Sequence, residues 1–328
     1  MRAVLLSLDS VSPDRLRSLR AQQYSHVVLA LDEKARSVGA AVQLIGAAGL
    51  RVDYWIEIGR NPAIANKHPE WMASLQGHPE WRRLFPNAPK PADGEVVKNY
   101  PWVPILYKET FDAHLQRVAR LLKDLPAAQG IFLNDLQSAP SACGCGNDLC
   151  RWTADYGPIK TATPLGNDAA GRFVEEVRKL AKGAEIIPVW ASECEEHEKP
   201  TRCAGVGCFE GTCWYQFTEQ LMPVAAKCDR LGLLLPYKAF QKDEPRYGPK
   251  AGWVKDALSM MSTMPPKRKG KSIPADRLIA VLQGWDVTPE EVKAQIERSS
   301  EAGAAGYVVS MVKIEQSWEP RNVKTRRE

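Results

Sequence analysis

GIFLND, residues 130–135, is a short apolar run that ends in two polar residues, Asn134 and Asp135. Such a run is typical of a strand that is buried on both faces of a parallel sheet. Seven further segments have the same form, at 3–8, 26–31, 50–58, 185–190, 231–235, 277–283 and 306–312. Amphipathic stretches lie between them, at 33–47, 109–125, 168–182, 218–227, 253–262 and 289–302. This alternation predicts a (β/α)8 TIM barrel.

A doubly wound open sheet is the alternative, but it would need a glycine-rich phosphate turn after an early strand. The chain contains neither GxGxxG nor GxxxxGK[ST]. We therefore expect one TIM-barrel domain over residues 1–328, with long loops at 59–108, 136–167 and 191–216 on the C-terminal face of the barrel. Only 16 residues follow the eighth predicted strand, so the last helix should be short or absent.

Composition is ordinary for a globular protein, with 44% hydrophobic and 25% charged residues. No apolar run approaches the roughly 18 residues of a membrane span, and no signal peptide is evident, so we expect a cytoplasmic protein without a membrane partner. A secreted protein whose leader had been removed would have the same sequence and is the alternative. The net charge is +5, and much of the excess lies around 267–271 and 324–327. Neither basic stretch is interleaved with aromatic residues, which favours solvated segments over nucleic-acid binding.

Acidic and aromatic residues recur where the predicted strands end, and in a barrel these positions gather at one rim. Carboxylates together with flat aromatic rings are typical of carbohydrate sites, because rings stack on sugar faces while acids bind hydroxyls and transfer protons. The sequence therefore predicts a catalytic acid, Asp135, with Asp286 or Glu193 as partner carboxylate. The predicted substrate-binding residues are Asp9, Asp32, Trp55, Glu57, Arg60, Asn134, Trp190, Tyr237, Gln283, Trp285, Glu315 and Trp318.

Seven of the eight cysteines fall between residues 143 and 213, so they fasten particular loops. Cys143, Cys145 and Cys150 can reach one tetrahedral Zn²⁺, and Cys194 is the nearest candidate for a fourth ligand. A structural Zn²⁺ is the favoured interpretation for at least one cysteine group, and disulfides remain the alternative. No organic cofactor is expected.

The Asn134-Asp135 pair after the fourth predicted strand resembles the Asn-Glu acid/base pair of the large retaining glycosidase clan with (β/α)8 barrels. The cysteines that follow are similar to the zinc cluster of family 42 β-galactosidases. His68-Pro-Glu-Trp71 and 302–307 resemble stretches of uncharacterised bacterial glycosyl-hydrolase-like barrels. The resemblance implies a glycoside hydrolase, with an oligosaccharide, polysaccharide or glycoside as its substrate.

Two departures from that resemblance leave the reaction open. The acid is Asp135 rather than Glu, and the seventh strand offers Gln283 and Asp286 but no Glu for a nucleophile. Asp135 with Asp286 or Glu193 could form an inverting pair, or Asn134 and Asp135 could assist a substrate N-acetyl group. A non-catalytic carbohydrate-binding barrel and a metal-dependent lyase or isomerase are the alternative functions.

Overall fold

A computed structural model describes residues 1–32, 38–72, 87, 89–105, 107–136, 165, 168–191, 222–239, 253–263, 273–315 and 319–324. Eight parallel strands close into a barrel in the order β1-β2-β3-β5-β6-β7-β8-β9. They span Arg2–Leu6 (β1), His26–Ala30 (β2), Arg51–Glu57 (β3), Gly130–Asn134 (β5), Glu185–Ala191 (β6), Leu231–Leu235 (β7), Leu278–Gln283 (β8) and Gly306–Ser310 (β9). The predicted TIM barrel is confirmed, and every predicted strand is present to within a few residues.

The helices of the described residues are Pro13–Ala21 (α1), Val38–Ala47 (α2), Pro62–Lys67 (α3), Lys108–Leu122 (α4), Ala169–Leu180 (α5), Met222–Ala225 (α6), Trp253–Thr263 (α7) and Pro289–Glu301 (α8). The start of α8 follows from its sequence, because Thr288 and Glu291 form a capping box around Pro289. Helix α1 was not predicted, although Ser12 caps it by accepting from the backbone N–H of Arg15.

Each barrel strand buries both faces, which explains the continuous apolar runs in the sequence. Alternate side chains point to the barrel axis, where Leu5, Val28, Phe132 and Ile187 pack together. The intervening side chains form an outer layer beneath the helices, which contribute residues such as Phe173 from α5. The parity of a residue along its strand therefore decides whether its side chain can reach the mouth of the barrel.

A small second sheet lies outside the barrel and was not anticipated. Strands Glu95–Tyr100 (β4) and Glu319–Lys324 (β10) pair in antiparallel fashion. The long stretch expected over 59–108 contains α3 and β4. Beyond β9 the described residues contain β10 and no helix, which agrees with the expected lack of a last helix.

Candidate active site

Glu57, the last residue of β3, lies at the C-terminal mouth of the barrel and accepts two hydrogen bonds. The indole Nε1 of Trp55 donates to Oε1 at 2.6 Å, and the Nδ2 of Asn134 donates to Oε2 at 2.8 Å. Glu57 and Asn134 are register partners in the β3–β5 pair. Because Trp55 belongs to the axial cluster and alternation brings Glu57 to the same side, the carboxylate faces the interior of the mouth.

Asp135 follows β5 and leaves the strand in a left-handed conformation, with φ of 60°. Its backbone carbonyl accepts from the N–H of Gly59 at 3.2 Å. The Trp102 side chain donates to the carboxyl group, whereas Oδ2 is buried and has no hydrogen-bond partner. A Cβ atom on Gly59 would lie 2.6 Å from Oδ2, so the glycine makes room for the acid.

The two acids differ in what their surroundings favour. Burial, and next the negative charge of Glu57, raise the pKa of Asp135 to about 7, against opposing effects of Trp102 and Arg60. Burial also raises the pKa of Glu57, but the hydrogen bonds from Trp55 and Asn134 favour its ionised form. The surroundings therefore raise the pKa of both carboxyl groups, and they favour a protonated Asp135 up to about neutral pH.

Arg60 links this acid pair to the far side of the mouth. Its backbone forms an isolated bridge with Trp102, and its guanidinium carbon lies 6.0 Å from the centroid of that ring. The guanidinium forms an ion pair with Glu315, which follows β9. Its Nε is buried and has no hydrogen-bond partner.

Gln283 and Tyr237 hold neighbouring loops at the same face of the barrel. The Gln283 carboxamide oxygen accepts from the backbone N–H groups of Lys238 and Ala239 at 3.1 and 2.9 Å, and its amide donates to the carbonyl of Trp285 at 2.9 Å. Tyr237 donates to Glu291 at 3.2 Å. Trp285 is 9% exposed and packs in the axial cluster.

The remaining described candidates lie apart from the Glu57–Asp135 pair or are open to solvent. Trp190 is fully buried in the outer layer beneath the helices, because its parity on β6 turns it away from the axis. Asp9, Asp32 and Asp286 are exposed. Within the described ranges, no hydrogen bond or ion pair joins Asp286 to Asp135.

Several predictions fall on residues outside the described ranges, namely those for Glu193, Trp318, Cys143, Cys145, Cys150 and Cys194. Among the residues that are described, no group of three or more His, Cys, Asp or Glu side chains is placed to hold a metal ion. Zinc in the cysteine loop therefore stays a prediction. The described helices include none that is both long and apolar enough to span a bilayer.

Three residues of the site were missed from the sequence. Trp102 and Gly59 contact Asp135, and Arg117 donates from α4 to the Glu57 backbone carbonyl at 2.7 Å. Arg117 did carry a signal, because it is a charged residue at a position of α4 that is buried. Trp102 carried none, since it lies in an insertion whose path the strand pattern does not determine.

No protein-family model and no curated protein sequence matches the chain. The fold is shared by a solved structure. A β-galactosidase from the psychrophilic Marinomonas ef1 superposes with a TM-score of 0.51 at 12% identity, over 95% of this chain and 54% of that one. The spore cortex-lytic enzyme SleL of Bacillus megaterium QM B1551 gives a TM-score of 0.46 at 10% identity, over 94% of this chain and 69% of that one.

The chain thus spans about half the length of the β-galactosidase that it matches. At this level of identity the similarity concerns the fold alone. The chain is a closed parallel (β/α)8 barrel of an architecture that glycosidases also use.

Proposed function

We propose that this protein is a glycoside hydrolase in which Asp135 donates a proton to the oxygen of the scissile glycosidic bond. The observation that carries the proposal is the environment of Asp135 at the C-terminal mouth, where burial and the neighbouring charge of Glu57 raise its pKa to about 7. A carboxylic acid that retains its proton near neutral pH is what protonation of a glycosidic oxygen requires.

In the proposed reaction, proton transfer from Asp135 accompanies cleavage of the bond between the anomeric carbon and the leaving oxygen. As that bond breaks, a second carboxylate either attacks the anomeric carbon or takes a proton from a water molecule that attacks it. In the first case a covalent glycosyl-enzyme forms, and water then hydrolyses it while Asp135 takes up the proton of that water. Asp286 and Glu193 are the proposed partners, and the distance of that carboxylate from Asp135 would select retention or inversion. Glu57 lies beside Asp135, and hydrogen bonds from Trp55 and Asn134 hold its carboxyl group in place.

The described rim residues divide between substrate contact and support. Arg60, Tyr237, Glu315 and the exposed acids Asp9 and Asp32 are the proposed contacts for hydroxyl groups of a sugar. Gln283 and Trp190 support the barrel instead of contacting substrate. Gln283 is 1% exposed, and backbone groups already occupy its hydrogen-bonding atoms. Trp190 is fully buried. This division narrows the set of substrate-binding residues expected from the sequence.

The proposal is tested with Asp135→Asn on aryl glycosides that share a sugar but differ in leaving group. Removing a general acid slows cleavage of a poor leaving group strongly, whereas a good one departs without protonation. We expect a loss of about 100-fold or more with the poor leaving group and a much smaller loss with dinitrophenolate. Asp124→Asn is the matched control, because Asp124 is exposed beyond α4 at the opposite end of the barrel.

An equal loss for both leaving groups, or none, would count against Asp135 as the proton donor. Asp286→Asn and Glu193→Gln identify the partner carboxylate, since its removal should slow both substrates alike.

A sugar-binding barrel without turnover is the second candidate function. It is favoured by Gln283, which stands at the end of the seventh barrel strand, β8, where the resembled clan carries its nucleophile. Glycan binding without product from any aryl glycoside would select it.

A further inference from the structure

We propose that the sugar bound at this mouth is a uronic acid and that Arg60 binds its carboxylate. The inference rests on the proposed function and deepens it, because it names the chemical class of the substrate. It depends on the hydrogen bonds of one edge of the Arg60 guanidinium, where one of two N–H groups has no acceptor.

The Nε–H and the Nη2 of an arginine point to the same edge of the guanidinium, and together they match the two oxygens of a carboxylate. In Arg60 only half of that edge has an acceptor. Nη2 pairs with Oε2 of Glu315, whereas Nε is buried without a hydrogen-bond partner. A buried N–H that lacks an acceptor costs free energy, and a ligand carboxylate spanning both nitrogens would satisfy it.

Glu315 is suited to give way to such a ligand. Its side chain is 45% exposed, and it lies on the segment after β9, 255 residues from Arg60 in the chain. An ion pair of this exposure contributes little to stability, because water screens it. Because Glu315 contacts the same edge that the ligand needs, its departure would open both nitrogens to a substrate carboxylate.

The position of Arg60 also fits substrate recognition. Its backbone bridges to Trp102, which donates to Asp135, and its positive charge acts on both Glu57 and Asp135. The guanidinium is therefore fixed near the proposed proton donor rather than on a remote surface. A planar carboxylate matches the fork better than a neutral hydroxymethyl group, which offers one acceptor and no charge.

The test measures binding and turnover separately. Isothermal titration with D-glucuronate and D-galacturonate, against D-glucose and D-galactose at matched ionic strength, reports affinity without any reaction. Nitrophenyl uronides against the corresponding neutral glycosides report turnover. The variants are Arg60→Gln, Arg60→Lys and Glu315→Gln.

The control variant is Arg321→Gln. Like Arg60, Arg321 lies against an aromatic ring and pairs with a glutamate, here Tyr100 and Glu319, but it belongs to β10. It therefore reports the general effect of removing a cation of this kind.

We expect wild-type protein to bind a uronate at least tenfold more tightly than the neutral sugar. Arg60→Gln should remove that preference, a loss of roughly 10- to 100-fold for uronates alone. Arg60→Lys should retain part of the uronate preference, because lysine keeps the positive charge but lacks the two parallel N–H groups of the guanidinium. Glu315→Gln should strengthen uronate binding, and Arg321→Gln should leave it unchanged.

Equal affinity for uronate and neutral sugar, or a uronate preference that survives in Arg60→Gln, would overturn the inference. Tighter binding of sulfate than of either uronate would do the same, since it would indicate a general anion site. The two proposals fail in different ways. If uronates bind through Arg60 but no glycoside is cleaved, only the hydrolase proposal is contradicted. If Asp135 is needed to cleave neutral glycosides and uronates are not preferred, only the uronate proposal is contradicted.

Discussion

Asn134 donates a hydrogen bond of 2.8 Å to Glu57, its register neighbour on the adjacent strand, and so helps to fix a carboxylate beside Asp135. In sequence, Asn134 and Asp135 look like one unit after β5. In the structure their side chains have different contacts. Asn134 faces the mouth and binds Glu57, whereas Asp135 contacts Gly59 and Trp102.

Glu57→Gln should lower the pKa of Asp135. The Glu57 charge is the second cause that raises this pKa, after burial, so its removal leaves the acid still raised but below about 7. A general acid works while protonated, and the alkaline limb of the pH–rate profile should therefore move to lower pH. A ¹³C NMR titration of labelled aspartate measures the same shift without turnover.

Glu176→Gln is the control for that experiment, since Glu176 pairs with Lys179 on the exposed side of α5. An unchanged alkaline limb in Glu57→Gln would show that Glu57 is not charged when the enzyme acts.

Gly59→Ala should impair activity, and it should also cost stability because the new Cβ meets the Asp135 backbone. The new Cβ would lie 2.6 Å from Oδ2 and 2.7 Å from the backbone carbonyl of Asp135, so the acid must move. A displacement of this size commonly costs about 100-fold in rate. Gly39→Ala in α2 is the control, because its added Cβ would meet nothing within 4 Å. Full activity in Gly59→Ala would contradict the assigned role of Asp135.

The barrel could be predicted because its signals are local. A buried strand such as Leu231–Leu235 and a capped helix such as α8 each show their pattern within a short window. The β4–β10 pair could not, because its strands are more than 200 residues apart in the chain and neither has a strong apolar pattern. The pairing depends on contacts between distant parts of the chain, which no short stretch of sequence reveals.

Within the site, the sequence indicated which residues lie at the rim of the barrel, but not which side chains contact one another. Trp190 shows why: β6 is apolar at nearly every position, so alternation between axis and outer layer cannot be read from it. Glu57 shows the converse. It lies at the end of the third predicted strand, next to the fourth predicted strand that ends in Asn134, so their adjacency followed from the sequence although the hydrogen bond between their side chains did not.

Metal analysis should find about one zinc per chain, bound through Cys143, Cys145, Cys150 and Cys194. Cys145→Ala should lower the zinc content, because it removes one of the four proposed thiolate ligands. Cys228→Ser should keep it, since Cys228 is a free thiol packed in the outer layer of the barrel. Metal-free protein with fewer than eight titratable thiols would instead indicate disulfides.

Gln283→Glu should destabilise the protein without creating a nucleophile. The buried carboxamide donates to the carbonyl of Trp285, and a carboxylate at this 1% exposed position could not. We expect a loss of about 2–4 kcal/mol that grows as pH rises and the new acid ionises. Urea unfolding at pH 5 and pH 8 measures it, with Gln116→Glu on the exposed face of α4 as control. A gain in hydrolysis would contradict the structural role given to Gln283.

Asp53→Asn should stabilise the protein above neutral pH. Asp53 is 1% exposed on β3, and its Oδ2 has no hydrogen-bond partner. Burial raises its pKa to about 7, despite a hydrogen bond from the Gly130 backbone and the charge of Arg230. A carboxyl group whose pKa is raised by folding contributes stability that is present below its unfolded pKa and is lost as pH rises through the folded value.

The wild-type protein should therefore lose stability between about pH 4 and pH 8, by up to about 4 kcal/mol for this group. Asparagine has no charge to bury, so the variant should unfold at higher urea than wild type at pH 8 and lose most of that advantage at pH 4. Asp124→Asn, at an exposed position, supplies the baseline. If Asp53→Asn is the less stable protein at pH 8, the ionised Asp53 must be held by Arg230 more strongly than burial opposes it.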